Sequence, residues 1–314
     1  MSAESRPTTR YTLLGVLAIL FWSVTVGVAR SLSEQLGTTT TASAVLLGGG
    51  VMGCAWLVVS GRWRSLRRTP RLYLFGCGGL FVAYMLFIYL AIGLAQTRRQ
   101  AIGAGIINYL WPGLTLLFSV PLLGKKARLW VVPGALLAFA GAGLAGAQAE
   151  VFTWAAFLRD LASGSTPYLL ALGAAVTWGL YSNLSRRWGE GTETGAVPVF
   201  LLVSGLLMLG VRFLFGEQQT WSLRTGLELA YMAVFPALLA YMFWDVAMRR
   251  GNVVLVAAFS YVTPVLSVAF SCVYLGVEPG VKLILACLLV VAGAVTCKLS
   301  VREPGEGQKE TRRH

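Results

Sequence analysis

Large aromatic side chains and a few amides recur within the apolar stretches of this sequence, where aliphatic residues otherwise dominate. Aromatic rings stack against one another, and an ammonium group binds over a ring face. These residues could therefore line a pocket for an amphipathic solute without net charge; the alternative is that they only pack the interior. The set is Trp22, Tyr84, Asn108, Trp111, Trp178, Tyr181, Asn183, Tyr241, Trp244 and Tyr261.

Two apolar stretches carry a helix breaker at corresponding positions, Pro112-Gly113 and Pro264. Proline removes a backbone hydrogen bond and frees a carbonyl, which a membrane tolerates only where protein or cavity water covers the break. Each break therefore predicts a gating position beside a central cleft, unless it is a kink that only helps helices pack. Polar residues at helical spacing favour the cleft: Asn108, Trp111, Thr115 and Ser119, and in the other stretch Ser260, Thr263, Ser267 and Ser271.

Ionisable groups are nearly absent from the apolar stretches. Asp245 is the only carboxylate well within one, and Arg249 follows four residues later. This spacing fits an ion pair at the membrane interface as well as a gating or coupling role for Asp245. The five cysteines have no metal-ligand spacing, and the single histidine is the last residue, His314. We therefore expect no catalytic site, no metal and no cofactor.

The elements that position these residues are membrane-spanning helices. The chain is 56% hydrophobic and 12% charged, about half the charged fraction of soluble domains. Its apolar blocks are about 20 residues long, which is enough to cross the hydrocarbon core as a helix. The ten predicted spans are Tyr11–Arg30, Thr41–Ser60, Leu72–Ala95, Ala101–Leu123, Leu129–Ala147, Pro167–Ser185, Ala196–Phe215, Leu227–Ala247, Val253–Leu275 and Val281–Leu299.

The net charge of +13 is interpreted as a topology signal rather than as a nucleic-acid surface. Lysines and arginines concentrate in alternate loops and at both chain ends, most densely from Arg62 to Arg71. Cytoplasmic loops carry this excess, so both termini are predicted to be cytoplasmic, in a multi-pass protein of the inner (plasma) membrane. Between the fifth and sixth spans, Val151, Trp154 and Leu158 recur at helical spacing and predict a short helix on the outer interface.

The chain also repeats itself. Shifted by 152 residues, Tyr109 meets Tyr261, Pro112 meets Pro264, and the segment LLAFAGA at 136–142 meets LLVVAGA at 288–294. Five spans in each half is an odd number, so the second half would enter the membrane from the opposite side, as in inverted-repeat transporters. The predicted fold is therefore all-α, with two inverted five-helix repeats around a central cavity. Its parts are residues 1–147, an outer linker 148–166, residues 167–300 and a cytoplasmic tail 301–314.

The segments YLWPGLTLLFSVPLLGKK and YVTPVLSVAFSCVYLGVEPG resemble the two repeats of the EamA family, in the drug/metabolite transporter superfamily. Within that family, the aromatic-rich spans resemble those of the aromatic amino-acid exporters of the YddG type. The resemblance is incomplete at Lys126, because the family usually has an acidic residue at this position of the first repeat. At the corresponding position of the second repeat, Glu278 is acidic as in the family. It implies the ten-span fold and export of a small molecule.

From these patterns we expect an inner-membrane transporter that exports amino acids, aromatic ones included, by alternating access, as a facilitator driven by the substrate gradient. The alternative is a drug or metabolite exporter of the same superfamily with another substrate, for which proton coupling is an option. A membrane enzyme or sensor would need a catalytic constellation or a soluble domain, and the sequence shows neither. The expected partners are the amino-acid substrate and membrane lipid; nucleic acid is not expected, and no oligomer is required.

Overall fold

The computed structural model describes residues 5–146, 164–192, 195–214, 216–263, 265–266, 269–270 and 281–302. Most of this part of the chain is helical. Three predictions fall outside the described residues, namely the interfacial helix that follows the fifth span, the second helix breaker Pro264, and most of the C-terminal tail with His314.

Helices lie over the predicted spans of the first half. Lipid offers no partner for a free backbone group, so each apolar segment closes its hydrogen bonds internally as a helix. The elements are α1 (Ser5–Leu36), α2 (Thr38–Val59), the single turn α3 (Trp63–Leu66), the π-helix π1 (Leu72–Cys77), α4 (Gly78–Gly93), α5 (Arg98–Asn108), α6 (Trp111–Leu123) and α7 (Val131–Gly146).

The second half follows the same plan. Its elements are α8 (Thr166–Gly189), α9 (Val197–Arg212), α10 (Leu223–Met232), the π-helix π2 (Ala233–Leu239), α11 (Ala240–Arg250), α12 (Val253–Ser260) and α13 (Val281–Ser300). Within the described residues the only strand pairing is antiparallel and two residues long, between β1 (Lys126–Ala127) and β2 (Val301–Arg302). It joins the residues that follow the fourth span to those that follow the tenth.

The outer surface of the bundle is apolar. Leu136, Leu169 and Leu288 expose 60%, 64% and 63% of their surface, which suits a helix that faces hydrocarbon rather than water. Among the residues that the structure describes, four helical stretches are, by length and hydropathy alone, long and apolar enough to cross a membrane, and shorter apolar helices accompany them. The four are Thr38–Val59, Leu72–Gly93, Gly103–Leu123 and Leu223–Arg250. The protein is thus an all-α, multi-pass membrane protein.

The fourth and ninth spans are both interrupted, and at equivalent residues. In the fourth span α5 ends at Asn108 and α6 begins at Trp111, with a turn at Tyr109-Leu110. In the ninth span α12 ends at Ser260, and Tyr261 and Val262 form the turn. The first interruption precedes Pro112 because proline has no N–H to bond the carbonyl four residues earlier, that of Asn108.

Glycines bring two helix pairs into backbone contact, and these contacts are reciprocal. In the α7–α13 pair, a Cβ on Gly141 would lie 2.8 Å from the Val290 nitrogen, and one on Gly293 would lie 2.6 Å from the Ala138 Cβ. Gly141 and Ala138 correspond to Gly293 and Val290 in the 152-residue repeat. Each helix therefore uses the same positions against its partner, which is the contact pattern of a twofold axis.

The α2–α9 pair repeats this pattern. A Cβ on Gly50 would lie 2.6 Å from the Leu202 Cα, and one on Gly205 would lie 2.6 Å from the Leu47 nitrogen. Both glycines stand three residues after the leucine of their own helix. Small residues at such positions let membrane helices approach closely enough for strong van der Waals packing.

Candidate functional site

Eight large rings meet where five spans converge, and Trp178 lies at the centre of this ring cluster. Trp178 is 1% exposed; the adjacent Gly179 faces α6, since a Cβ there would lie 3.2 Å from the Leu114 Cβ. Seven ring centroids lie 4.6–6.4 Å from that of Trp178, in stacked, tilted and edge-on geometries. They belong to Trp22, Phe81, Tyr84, Trp111, Tyr181, Tyr241 and Trp244.

The ring cluster contains pairs of residues that correspond between the two halves. With small gaps in the alignment of the two halves, Trp22 pairs with Trp178, and their ring centroids lie 5.9 Å apart. Tyr84 and Tyr241 also correspond, and their side chains interact. The ring cluster therefore lies where the two halves face each other. It brings together seven of the ten residues predicted to line the pocket, with Trp22, Tyr84 and Tyr241 half-buried and Trp111, Trp178, Tyr181 and Trp244 buried.

The remaining predicted residues lie around the ring cluster rather than within it. Asn108, at the end of α5, contacts the side chain of Tyr84, and its Oδ1 has no hydrogen-bond partner among the described residues. Asn183 donates to the carbonyls of Thr115 and Gly179, each at 2.9 Å, and so ties α8 to α6.

Tyr261 packs in a separate apolar cluster with Leu116, Val131 and Val290. A Cβ on Gly113 would lie 2.5 Å from the Tyr261 hydroxyl oxygen. The glycine after Pro112 therefore admits the tyrosine of the ninth-span turn against the start of α6, and this contact joins the two interrupted spans.

Asp245 and Arg249 form an ion pair, with 2.8 Å between Oδ2 and Nε, as their four-residue spacing predicts. The pair is not at an exposed interface, because each side chain is only 1% exposed. Tyr73 and Tyr181 donate hydrogen bonds of 2.9 and 3.0 Å to Asp245 Oδ1. Arg249 Nη1 donates to the carbonyl and the hydroxyl of Thr192. A buried charge pair requires such additional hydrogen bonds.

Tyr73 and Thr192 are the members of this network that the sequence patterns missed. Tyr73 stands at the start of the third span, where aromatic residues commonly anchor the membrane interface, and Thr192 lies in a loop. No local spacing in the sequence marks either residue as a partner of the ion pair. The network is linked to the ring cluster through Tyr181, whose ring stacks on Trp178 at 5.1 Å.

The ion pair lies at the end of the bundle where α1 begins and α11 ends, here called the basic end. Arg186 donates to the Gly251 carbonyl at 2.7 Å, and Arg250 donates to the Tyr11 hydroxyl at 3.4 Å. The backbone of Asn252 donates to the Thr12 hydroxyl. Hydrogen bonds at the basic end therefore join the start of the first span to the end of the eighth span and the start of the ninth.

At the end of the bundle opposite the basic end, Glu217 forms a polar contact with the start of α2. Its carboxylate accepts hydrogen bonds of 2.8 Å from the backbone N–H groups of both Thr39 and Thr40, the second and third residues of α2. The Thr40 hydroxyl donates a third, at 2.7 Å, and accepts from Arg212. Burial raises the pKa of Glu217, but the hydrogen bonds from Thr39 and Thr40 outweigh burial and lower it below its ordinary value.

This arrangement can bind an amphipathic molecule but offers little for covalent chemistry. Among the described residues no cluster of His, Cys, Asp and Glu could hold a metal ion. The ring cluster offers π-faces and tyrosine hydroxyls, and the nearest described carboxylate, Asp245, is neutralised by Arg249. These features suit recognition of a ring and a polar head rather than bond cleavage.

Comparison with known proteins agrees with this description. The EamA-like transporter family matches the chain twice, over residues 9–147 and 165–297. The chain is 31% identical to the aromatic amino acid exporter YddG of Escherichia coli (strain K12), covering 93% of this chain and 97% of that protein. It is 35% identical to the aromatic amino acid exporter YddG of Ancylobacter novellus, covering 93% of this chain and 98% of that protein.

A solved crystal structure shares the fold, with a TM-score of 0.76 and 32% sequence identity, covering 92% of this chain and 98% of that one. Because both halves match the family and the relatives match over nearly their whole length, the chain belongs to the EamA-like transporter family.

Proposed function

We propose that this protein exports amino acids, including aromatic ones, across the inner membrane by alternating access, driven by the substrate gradient. The observation that carries the proposal is the ring cluster around Trp178, built from spans of both halves and free of ionised side chains. The names of the relatives, aromatic amino acid exporters, support the substrate class.

The chemistry of the ring cluster fits such a substrate. The rings of phenylalanine and tryptophan stack edge-on or offset against tryptophan and tyrosine, and the substrate ammonium is attracted to a ring face. The half-buried residues Trp22, Tyr84 and Tyr241 present the accessible face. Asn108, beside Tyr84, has an unused amide oxygen that can accept a hydrogen bond from the ammonium.

Two inverted repeats, here of five spans each, are an architecture that alternating-access transporters commonly use. Four observations support it: the double family match, the interruptions at equivalent residues of the fourth and ninth spans, and the reciprocal glycine contacts of the α7–α13 and α2–α9 pairs. Two halves of similar fold and opposite direction can exchange conformations, so that one site faces either side in turn.

The basic end faces the cytoplasm in this proposal, because cytoplasmic loops carry the excess of lysine and arginine. At this end Tyr73, Tyr11 and Thr12 of the first half are hydrogen-bonded to Asp245, Arg250 and Asn252 of the second half. Within the second half, helix α8 packs against α11, which ends at the basic end, and has few contacts with α10 or π2 nearer the opposite end. This supports a site that is closed toward the cytoplasm, with Asp245 as part of the closing contact.

Pro112 and Pro264 act as hinges in this proposal, since each prevents a continuous backbone ladder in its span. The turns beside them can change dihedral angles without unfolding a whole helix. The pairing of Asp245 with Arg249 argues for a facilitator, because a proton carrier needs a carboxylate that is released from its partners and protonated in each cycle.

Purified protein in liposomes tests the proposal. Vesicles preloaded with labelled phenylalanine or tryptophan are diluted into amino-acid-free buffer, with and without an imposed proton gradient. We expect saturable efflux that aromatic amino acids compete with more strongly than lysine or glutamate do, at a rate that the proton gradient leaves unchanged. Protein-free vesicles give the background. Absence of saturable aromatic efflux would refute the substrate class, and efflux that requires the gradient would refute the facilitator mechanism.

A further inference from the structure

The Asp245–Arg249 pair is held by groups that all lie outside its own helix. Tyr73 from π1 and Tyr181 from α8 donate to Asp245, while Arg249 donates to Thr192 in the loop after α8. Asp245 and Arg249 are four residues apart on α11. If α11 moves away from α8, it carries the two charges together, but the bonds to Tyr73, Tyr181 and Thr192 break.

Arg249 also holds a donor that the closed contact does not use. The residue is 4% exposed, and its Nη2 atom is buried without a hydrogen-bond partner among the described residues. A buried N–H without an acceptor is unfavourable, so the site has spare capacity to bind an acceptor. Gly195 lies directly beside it, since a Cβ there would be 3.0 Å from Nη2 and 2.5 Å from Asp245 Oδ2.

We propose that Asp245 and Arg249 form an entry site for the charged head of a zwitterionic amino acid when the basic end opens. Arg249, released from Thr192, binds the substrate carboxylate through both Nη atoms, the geometry that guanidinium groups favour. Asp245, released from Tyr73 and Tyr181, binds the substrate ammonium. The substrate thus replaces the hydrogen bonds that opening breaks, and this inference rests on the proposed function.

The geometry favours a zwitterion over a molecule with a single charge. A carboxylate alone would leave Asp245 without its two hydroxyl donors, and an amine alone would leave the Nη atoms of Arg249 without acceptors. Either deficit leaves a buried charge incompletely satisfied. Tyr181 also connects the ion pair to the ring cluster. Its hydroxyl group donates to Asp245, and its ring stacks on Trp178. The head therefore binds at the ion pair while the ring proceeds to the ring cluster.

Cys77 provides a native reporter for this opening. It lies one helical turn after Tyr73, is fully buried, and interacts electrostatically with both Asp245 and Arg249. In a variant whose other four cysteines are replaced by alanine, a membrane-impermeant maleimide is applied to the basic end in oriented vesicles. Labelling of Cys77 then measures how often the contact around Asp245 opens.

We expect phenylalanine to accelerate this labelling about tenfold, the effect of gaining a charge-assisted hydrogen bond. Phenylalaninol, which lacks the carboxylate, and 3-phenylpropionate, which lacks the ammonium, should leave the rate near its ligand-free value. Equal acceleration by phenylalanine and both analogues would overturn the inference, because the ring alone would then open the contact. Absence of acceleration in a protein that shows saturable phenylalanine efflux would overturn it as well.

Two double variants test whether the effect of phenylalanine on Cys77 labelling depends on the Asp245–Arg249 pair. The double variant Asp245→Asn/Arg249→Gln leaves no unpaired buried charge, and we expect it to lose the discrimination between phenylalanine and its analogues. The matched control is Arg224→Gln/Glu228→Gln, another i,i+4 pair whose arginine is 73% exposed at the opposite end, which should keep the discrimination. Discrimination that survives in the first double variant would assign the head to another site. A protein without any aromatic efflux would instead refute the proposed function itself.

Discussion

At the scale of single residues, the sequence predicted most of the rings that meet, but not Phe81, and not what surrounds them. Large aromatic side chains within apolar spans are more stable together than facing lipid tails, so residue type alone pointed to Trp22, Trp178 and Tyr241. Tyr73 and Thr192 could not be found in this way. Their function depends on a tertiary contact with Asp245 and Arg249 across more than fifty residues of chain, and no local spacing encodes that contact.

Replacement of Trp178 tests the ring cluster. Trp178→Phe keeps a ring but shortens it, so we expect tryptophan efflux to fall several-fold relative to phenylalanine efflux, while the protein remains folded. Trp178→Ala is a less informative variant, since removing so buried a ring costs roughly 3–5 kcal/mol of stability. The matched control is Trp130→Phe, at a site 68% exposed. Equal selectivity in Trp178→Phe and the control would contradict substrate contact at Trp178.

Glu217 predicts a pH dependence of stability. Because the pKa of Glu217 is lowered in the folded protein, its contribution is complete above the ordinary value and is lost as the pH falls through the folded-state pKa. Glu217→Gln should lower the melting temperature at pH 7, since losing such a cap costs about 1 kcal/mol. It should also flatten the fall in melting temperature between about pH 5 and about pH 3.

The control for this pH series is Glu190→Gln, an exposed carboxylate in the loop after α8. Thermal unfolding of the three proteins in the same detergent gives the comparison. An unchanged slope in Glu217→Gln would show that the contact with Thr39 and Thr40 does not contribute to acid sensitivity.

At the scale of elements, the sequence predicted the helices well and their irregularities only in part. Hydropathy and segment length predicted the helices, because a backbone segment that faces lipid must satisfy its hydrogen bonds within its own helix. Pro112 predicted an interruption in the fourth span, but the turn lies earlier, at Tyr109-Leu110, where the carbonyl that Pro112 cannot bond is released. The π-helical turn π1 had no such marker, since Leu72–Cys77 contains no proline, whereas π2 contains Pro236.

The glycines of the α7–α13 pair can be tested directly. Gly141→Ala and Gly293→Ala should each destabilise the protein by about 1–3 kcal/mol, because the added methyl group would overlap the backbone of the opposite helix. Gly210→Ala, where a Cβ meets nothing within 4 Å, should instead raise stability by up to about 1 kcal/mol through better helix propensity. Similar melting temperatures for Gly141→Ala and Gly210→Ala would contradict the close contact.

At the scale of the whole molecule, two halves meet at the ring cluster, and the basic end closes beneath it. The repeat was visible in the sequence because equivalent positions keep the same constraints, such as Gly141 and Gly293 at one helix contact. The contacts at the basic end were not visible, since they depend on how α11 sits against α8 and α1. The ion pair has no counterpart in the first half, so the two ends of the protein close by different contacts.

Tracer counterflow tests the central claim, that one site is exposed to the two sides in turn, most directly. Liposomes containing the protein are preloaded with unlabelled phenylalanine and diluted into a trace of labelled phenylalanine, without any ion gradient. An alternating carrier predicts a transient accumulation of label inside the vesicles above its external concentration, which disappears in protein-free vesicles. Label that only equilibrates, or that accumulates only when a proton gradient is imposed, would contradict this account.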